Sequence, residues 1–191
     1  MDTAAPFGMR PVFHPTGLDR AHRYLNAIPT GYASNIFKYQ PVALNSSGQI
    51  VVTALSAADY IGVFAGVMFI DAFGKPNFVN NWVASTTLGT GDLWAFVWDD
   101  QGIVYEAQAN GSIAQTAIGD QANFAASMLT GSTLTGLSTG AIDSTLVGAG
   151  VQGMVKIVDI HPRPDNTFGD AFTIVQVQIA RHQYVSNKVA I

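Results

Sequence analysis

Apolar positions along this chain recur at every second residue over short stretches, and turn-forming residues separate those stretches. A period of two marks half-buried β-strands, whereas helices repeat at 3.6. From Asn35 onward the pattern predicts strands at IFKYQPVAL (36–44), QIVVTAL (49–55), YIGVFAGVMFI (60–70) and FVNNWVA (78–84). NSSG, AFGKPN and TLGTGD form the breaks. Pro41 lacks a backbone N–H, so it marks its strand as an edge or a bulge.

The clearest pair is LWAFVWDDQGIVYEAQA (93–109), two alternating runs joined by DDQG, a hairpin signature. Trp94, Phe96 and Trp98 fall on one face and Leu93, Ala95 and Val97 on the other. Both faces are apolar, which predicts burial on both sides or a subunit interface. In the partner run Ile103, Tyr105 and Ala107 alternate with Val104, Glu106 and Gln108. Glu106 is read there as a solvated or interface residue.

Residues 111–150 are rich in Gly, Ser, Thr and Ala and read as surface loops, with a short helix at DQANFAASML (120–129). MVKIVDI and AFTIVQVQIA (171–180) follow as strands around the loop HPRPDNTFGD (161–170). In the second of them Val175, Val177 and Ile179 oppose Ile174, Gln176 and Gln178. Nothing sustains a helical period. The fold class expected is all-β: a small, partly open antiparallel β-barrel or sandwich with an extended N-terminal arm and long loops.

The division expected is an arm over 1–34, docking on another surface or a neighbouring subunit, and a β-rich domain over 35–191. The first segment holds Pro6, Pro11, Pro15 and Pro29 and scattered aromatics, with no core-forming period. Disordered tails seldom carry that many aromatics.

Composition sharpens the picture. Of 191 residues, 48% are hydrophobic and 12% charged, against about 25% charged in ordinary soluble domains. So few charges point to surface covered by other subunits. The net charge of −4 carries no nucleic-acid footprint. No cysteine is present, which removes disulfides, thiolate metal sites and a cysteine nucleophile. The run 60–73 is shorter than a membrane span needs and is broken by Gly62, Gly66 and Asp71. With no signal-like start, synthesis in the cytoplasm is expected.

Candidate chemistry is thin. GAGVQG (148–153) matches a dinucleotide-binding pattern, but the following run is β-branched, where that pattern needs a helix N-terminus. His14, His22, His161 and His182 show no metal-ligand spacing, and no nucleophile elbow is present. No catalytic, cofactor-binding or metal-ligating residue is assigned, and no enzyme is expected. In the 161–170 loop Pro164, Asp165, Asn166 and Gly169 are turn chemistry. Arg163 and Asp170 are the expected bracing ion pair.

Several segments, in order, resemble a family of tailed-bacteriophage capsid decoration, or cement, proteins. They are APFGMRPV (5–12), IPTGYASNIFKYQPVAL (28–44), IGVFAGV (61–67), IVYEAQANGSIAQTAIGDQANF (103–124), TGLSTGAIDS (135–144) and VKIVDIHPRPDNTFGDAFTIVQVQIARHQ (155–183). The insert MFIDAFGKPNFVNNWVASTTLG (68–89) departs from the pattern. The resemblance implies a β-rich homotrimer on the capsid exterior, bound to the major capsid protein lattice at three-fold and local three-fold positions. It implies no catalytic residues, no cofactor, no nucleic-acid partner and no membrane. Expected contact residues are Phe7, Arg10, Val12 and Phe13 of the arm, Trp94, Phe96 and Trp98, and Arg163 and Asp165 of the hairpin loop. The alternative from another class is a carbohydrate- or receptor-binding β-domain, whose aromatics would stack on sugars. Exposed aromatics beside Asp and Asn would favour it, and burial of Trp94 and Trp98 would disfavour it.

Overall fold

A computed structural model describes residues 3–17, 20–53, 55 and 59–185. In chain order the strands are β1 (Arg10–Phe13), β2 (His22–Leu25), β3 (Pro41–Leu44), β4 (Ile50–Val51), β5 (Gly62–Ile70), β6 (Pro76–Val79) and β7 (Trp94–Trp98). They continue with β8 (Val104–Gln108), β9 (Gln121–Phe124), β10 (Gly131–Ser132), β11 (Leu137–Ser138), β12 (Ile142–Leu146), β13 (Val155–Ile160) and β14 (Ile174–Ile179). No α-helix occurs among the described residues, only short 3-10 turns at Gln115–Ala117 and Ala126–Leu129. The protein is all-β, with sandwich-like antiparallel sheets and no closed barrel.

The first sheet has the order β1-β8-β14-β13-β9-β12, and the second β2-β7-β5-β3-β4 with β6 on the far half of β5. Long-range pairing builds both. β1 joins β8, and β2 joins β7. Each sheet has its own core. Tyr105, Ala107, Val155, Ile157, Val175, Val177 and Ile179 fill the first, as the alternation in β8 and β14 predicts. Ile36, Phe64, Val67, Trp82, Ala95 and Val97 fill the second. A bulge between Phe64 and Gly66 changes which face β5 presents. Val63 and Phe64, both before the bulge, face opposite ways by ordinary alternation, Val63 into the first core and Phe64 into the second, and the bulge keeps Val67 on the Phe64 side. The two sheets are joined there.

Several expectations change. Pro41 is neither an edge nor a bulge residue: it opens β3, which lies between β5 and β4, at a first position that needs no N–H. The segment 120–129 is strand β9 followed by a 3-10 turn, not a helix, because Ala122 and Phe124 alternate into the first core. Residues 111–150 are not only loops, since β9 and β12 belong to the first sheet. The loop after β13 runs on to Thr173.

The N-terminal segment lies on the protein's own sheets. β1 and β2 are edge strands, one in each sheet. Met9 is fully buried in the first core. Gly8 precedes it with φ +78°, and a side chain there would place Cβ 2.4 Å from the Tyr39 carbonyl oxygen. Glycine alone fits that crossing.

Candidate interaction surfaces

Glu106 sits in β8 with β1 on one side and β14 on the other, opposite Arg10 and Gln176. It is 1% exposed. The residue expected from sequence to be solvated or at an interface is therefore a carboxylate buried within the chain, where Arg10 of edge strand β1 and His161 and Arg163 of the following loop enclose it. A buried charge needs partners. Arg10 binds Glu106 through its guanidinium Nε–H and a terminal nitrogen. His161 Nδ1 lies 2.6 Å from Glu106 Oε2, in contact but not aligned as a hydrogen bond. Arg163 approaches Oε1 at 3.9 Å. The Arg163–Asp170 brace is replaced by this arrangement. Asp170 instead accepts from the Thr167 N–H and the Thr167 hydroxyl, both at 2.8 Å.

Next along β8, Gln108 is also 1% exposed. Its Oε1 accepts from the Ala5 N–H at 2.8 Å, and its Nε2 donates to the Thr3 carbonyl at 3.1 Å. Along β8 the outer face of the first sheet is thus a sealed polar strip that fastens the N-terminal segment and the hairpin loop, whereas Lys156 and Val158 on β13 stay exposed. Phe7 is half-buried, with the Arg10 guanidinium 5.0 Å from its ring centre. Val12 and Phe13 are exposed on β1, and Asp165 is exposed in the loop.

The second sheet's outer face has the opposite character. Pairing sets Leu25 opposite Trp94, Trp94 opposite Met68, and Met68 opposite Phe78. Directly paired residues share a face. One apolar row therefore crosses β2, β7, β5 and β6. Phe96 lies two residues on along β7 and meets Phe78 edge-on at 5.5 Å. Leu25 is 52% exposed and Phe78 70%. The Arg23 guanidinium lies 4.1 Å from the Trp94 ring centre. Trp98 differs from its two neighbours: it stacks on Tyr39 at 5.8 Å and packs against the first core. All three expected contact aromatics are half-buried: Trp94 lies under Arg23 and Phe96 against Phe78 on the outer face, while Trp98 packs within the chain.

A third cluster gathers at the β7–β8 turn. His14 Nε2 lies 2.9 Å from Asp100, and His22 Nδ1 lies 2.9 Å from Asp99. The Tyr24 hydroxyl donates to Asp99 and lies 3.0 Å from the Tyr184 hydroxyl. Burial, then the hydrogen bond to Asp99, pushes the Tyr24 hydroxyl far above the usual tyrosine value. His182 is 1% exposed, and its Nδ1 accepts the Tyr184 N–H at 3.2 Å. Burial lowers its pKa, against an opposing pull from Asp99. Local spacing could not signal this cluster, since its members come from both ends and the middle of the chain. Among the described residues no group of three His, Cys, Asp or Glu side chains is placed to hold a metal ion.

GAGVQG lies between β12 and β13, beside an open cavity of about 420 Å³ lined by Gly119–Gln121 and Val147–Val151. A strand follows it, as its β-branched residues require, so it is no pyrophosphate-binding turn. No described helix is long and apolar enough to cross a membrane. Comparison with protein-family models, with curated proteins and with solved structures found no match.

Proposed function

We propose that this chain is a virion structural protein, a cement protein that acts by binding and makes no covalent bond. In this reading it forms a homotrimer on the outside of the major capsid protein lattice at three-fold and local three-fold positions. It is made in the host cytoplasm and resides on the capsid exterior. The observation that carries the reading is the open row Leu25, Trp94, Met68 and Phe78 on the second sheet. Trp, Phe, Met and Arg are the residues enriched in protein interfaces. The sugar-binding alternative needs a bare aromatic face, and here the Arg23 guanidinium lies over Trp94.

The mechanism is linkage. A protein that binds only the expanded shell stabilises that shell by mass action. A trimer touching several capsid subunits turns weak single contacts into firm retention. Val12 and Phe13, exposed on β1, are the part of the N-terminal segment available to such a contact.

The test is mass measurement of the purified protein, then titration onto expanded and precursor shells of the phage that encodes it. A trimer that saturates expanded shells and raises their disruption temperature is expected. A monomer that leaves no density on shells in electron cryomicroscopy overturns the reading.

A further inference from the structure

The insert 68–89 ends β5, forms β6 and supplies Met68 and Phe78 to the open face. It also makes the β5–β6 turn, at whose tip Phe73 is 96% exposed. A single exposed apolar side chain is ordinary on a surface; Phe73 is set apart by the fixed carboxylate beside it. The hairpin is ordered by Asp71, which accepts from the N–H groups of Phe73 at 2.9 Å and Lys75 at 3.0 Å and from Asn77 Nδ2 at 3.1 Å. A carboxylate has about four acceptor sites, so one remains open beside the Phe73 knob.

The open face carries the complement. Arg10 and Arg163 meet Glu106, and Arg181 meets Asp59. Arg23 pairs with no carboxylate among the described residues and rests on Trp94 in the apolar row. The tip's own cation, Lys75, has a counterpart in Asp92, exposed two residues before Trp94. One part of the chain thus offers an aromatic knob with an anion, and another an aromatic surface with an unpaired cation.

We propose that the outer face of the second sheet takes the β5–β6 hairpin tip of a second copy of this chain, with Phe73 seated on the Leu25–Trp94–Met68–Phe78 row and Asp71 facing Arg23. Knob and surface are different patches, so the contact is head-to-tail. Such contacts close into rings when the rotation allows. The inference rests on the oligomer in the proposed function and gives it an interface. It also gives the insert a role, as the part that carries the knob and half of the surface.

The absence of cysteine makes the test clean. Phe73→Cys and Leu25→Cys proteins are prepared separately, mixed and oxidised. A covalent dimer forming in the mixture and in neither protein alone is expected. Cross-linking of Phe73→Cys with itself, or none in the mixture, overturns the contact. In parallel, Phe73→Ser and Arg23→Ser are followed by sedimentation over a dilution series. Each should raise the dissociation constant about tenfold or more while circular dichroism stays native. Wild-type protein that associates while Phe73→Ser associates equally well overturns this inference alone. Wild-type protein that stays monomeric throughout overturns the proposed trimer with it.

Discussion

The outer faces of the two sheets are built from similar alternating strands and reach opposite ends. In β8, VYEAQ turns Glu106 and Gln108 outward, and the chain then buries both under its own N-terminal segment and hairpin loop. In β7, WAFVW turns Trp94 and Phe96 outward, and no described segment covers them fully. The polar strip on β8 is closed while the apolar row from Leu25 to Phe78 keeps exposed ends, the reverse of a simple rule of greasy inside and polar outside. A buried polar group demands defined partners, so the first face fixes the chain's own segments. An apolar face accepts any surface of fitting shape, so the second is suited to another molecule. Mutations on the first face should therefore act on folding, and those on the second on association.

The largest effect expected is at Glu106. Glu106→Ala leaves Arg10, His161 and Arg163 crowded without their anion. Removing one member of a buried ion pair typically costs 3–5 kcal/mol, and the partial exposure of both arginines places this case at about 3 kcal/mol. Urea denaturation should show it as a lower midpoint. A midpoint equal to wild type would mean that the sealed face does not hold the fold, and the contrast would collapse.

The next effect is one of pH. The pKa of His182 in the fold lies below the usual histidine value of 6.5, first because of burial. The unfolded chain then takes up the proton at higher pH than the native protein. This contribution to stability is full above about pH 6.5 and is lost as the pH falls through the lowered folded value, with a slope of at most about 1.4 kcal/mol per pH unit. Protonation at Nδ1 would also remove the acceptor of the Tyr184 N–H. Denaturation midpoints for wild type and His182→Asn between neutral and mildly acid pH should converge as the pH drops. Parallel curves would remove His182 from the account.

A smaller loss is expected at Gln108, whose amide holds two backbone groups of the N-terminal segment. Gln108→Ala should cost about 1 kcal/mol for each exchanged hydrogen bond that water does not replace. Hydrogen exchange should rise first at Ala5 and its neighbours. Exchange that rises evenly over the first sheet would show that the segment is not separately fastened.

Much of the fold was legible because it is local. The alternation of β8 and β14 placed Tyr105, Ala107, Val175, Val177 and Ile179 inward, where the structure has them. The turn at 99–102 followed from DDQG, but the hairpin expected there does not form: β7 pairs with β2 and β5, β8 pairs with β1 and β14, and the turn carries the chain from the second sheet to the first. What was not legible depends on distant pairing. β1 and β2 are only four residues each, in a proline-rich stretch, and their partners lie in β8 and β7. Glu106 illustrates the same limit: alternation put it on the outer face, but only the return of Arg10, His161 and Arg163 makes that face an interior. The row from Leu25 to Phe78 was half visible. Trp94 and Phe96 stood out in sequence, while Leu25, Met68 and Phe78 joined them only through the register of β2, β5 and β6.

The smallest effect on folding is expected at Arg23, and it sharpens the contrast most. Its guanidinium rests on Trp94 at the surface, where a cation–π contact contributes about 0.5–1 kcal/mol. Arg23→Gln should therefore shift the urea midpoint only slightly, by about 0.5 kcal/mol, against the much larger loss at Glu106. Arg23→Lys separates the two parts of the contact, since it keeps the charge and gives up the flat stacking surface. If stacking dominates, Lys and Gln should lose the same small amount of stability. If charge toward a partner carboxylate dominates, Lys should retain association while Gln loses it, with folding unchanged in both. A large folding loss in either variant would make Arg23 a structural residue like Arg10, and the open face would no longer differ in kind from the sealed one.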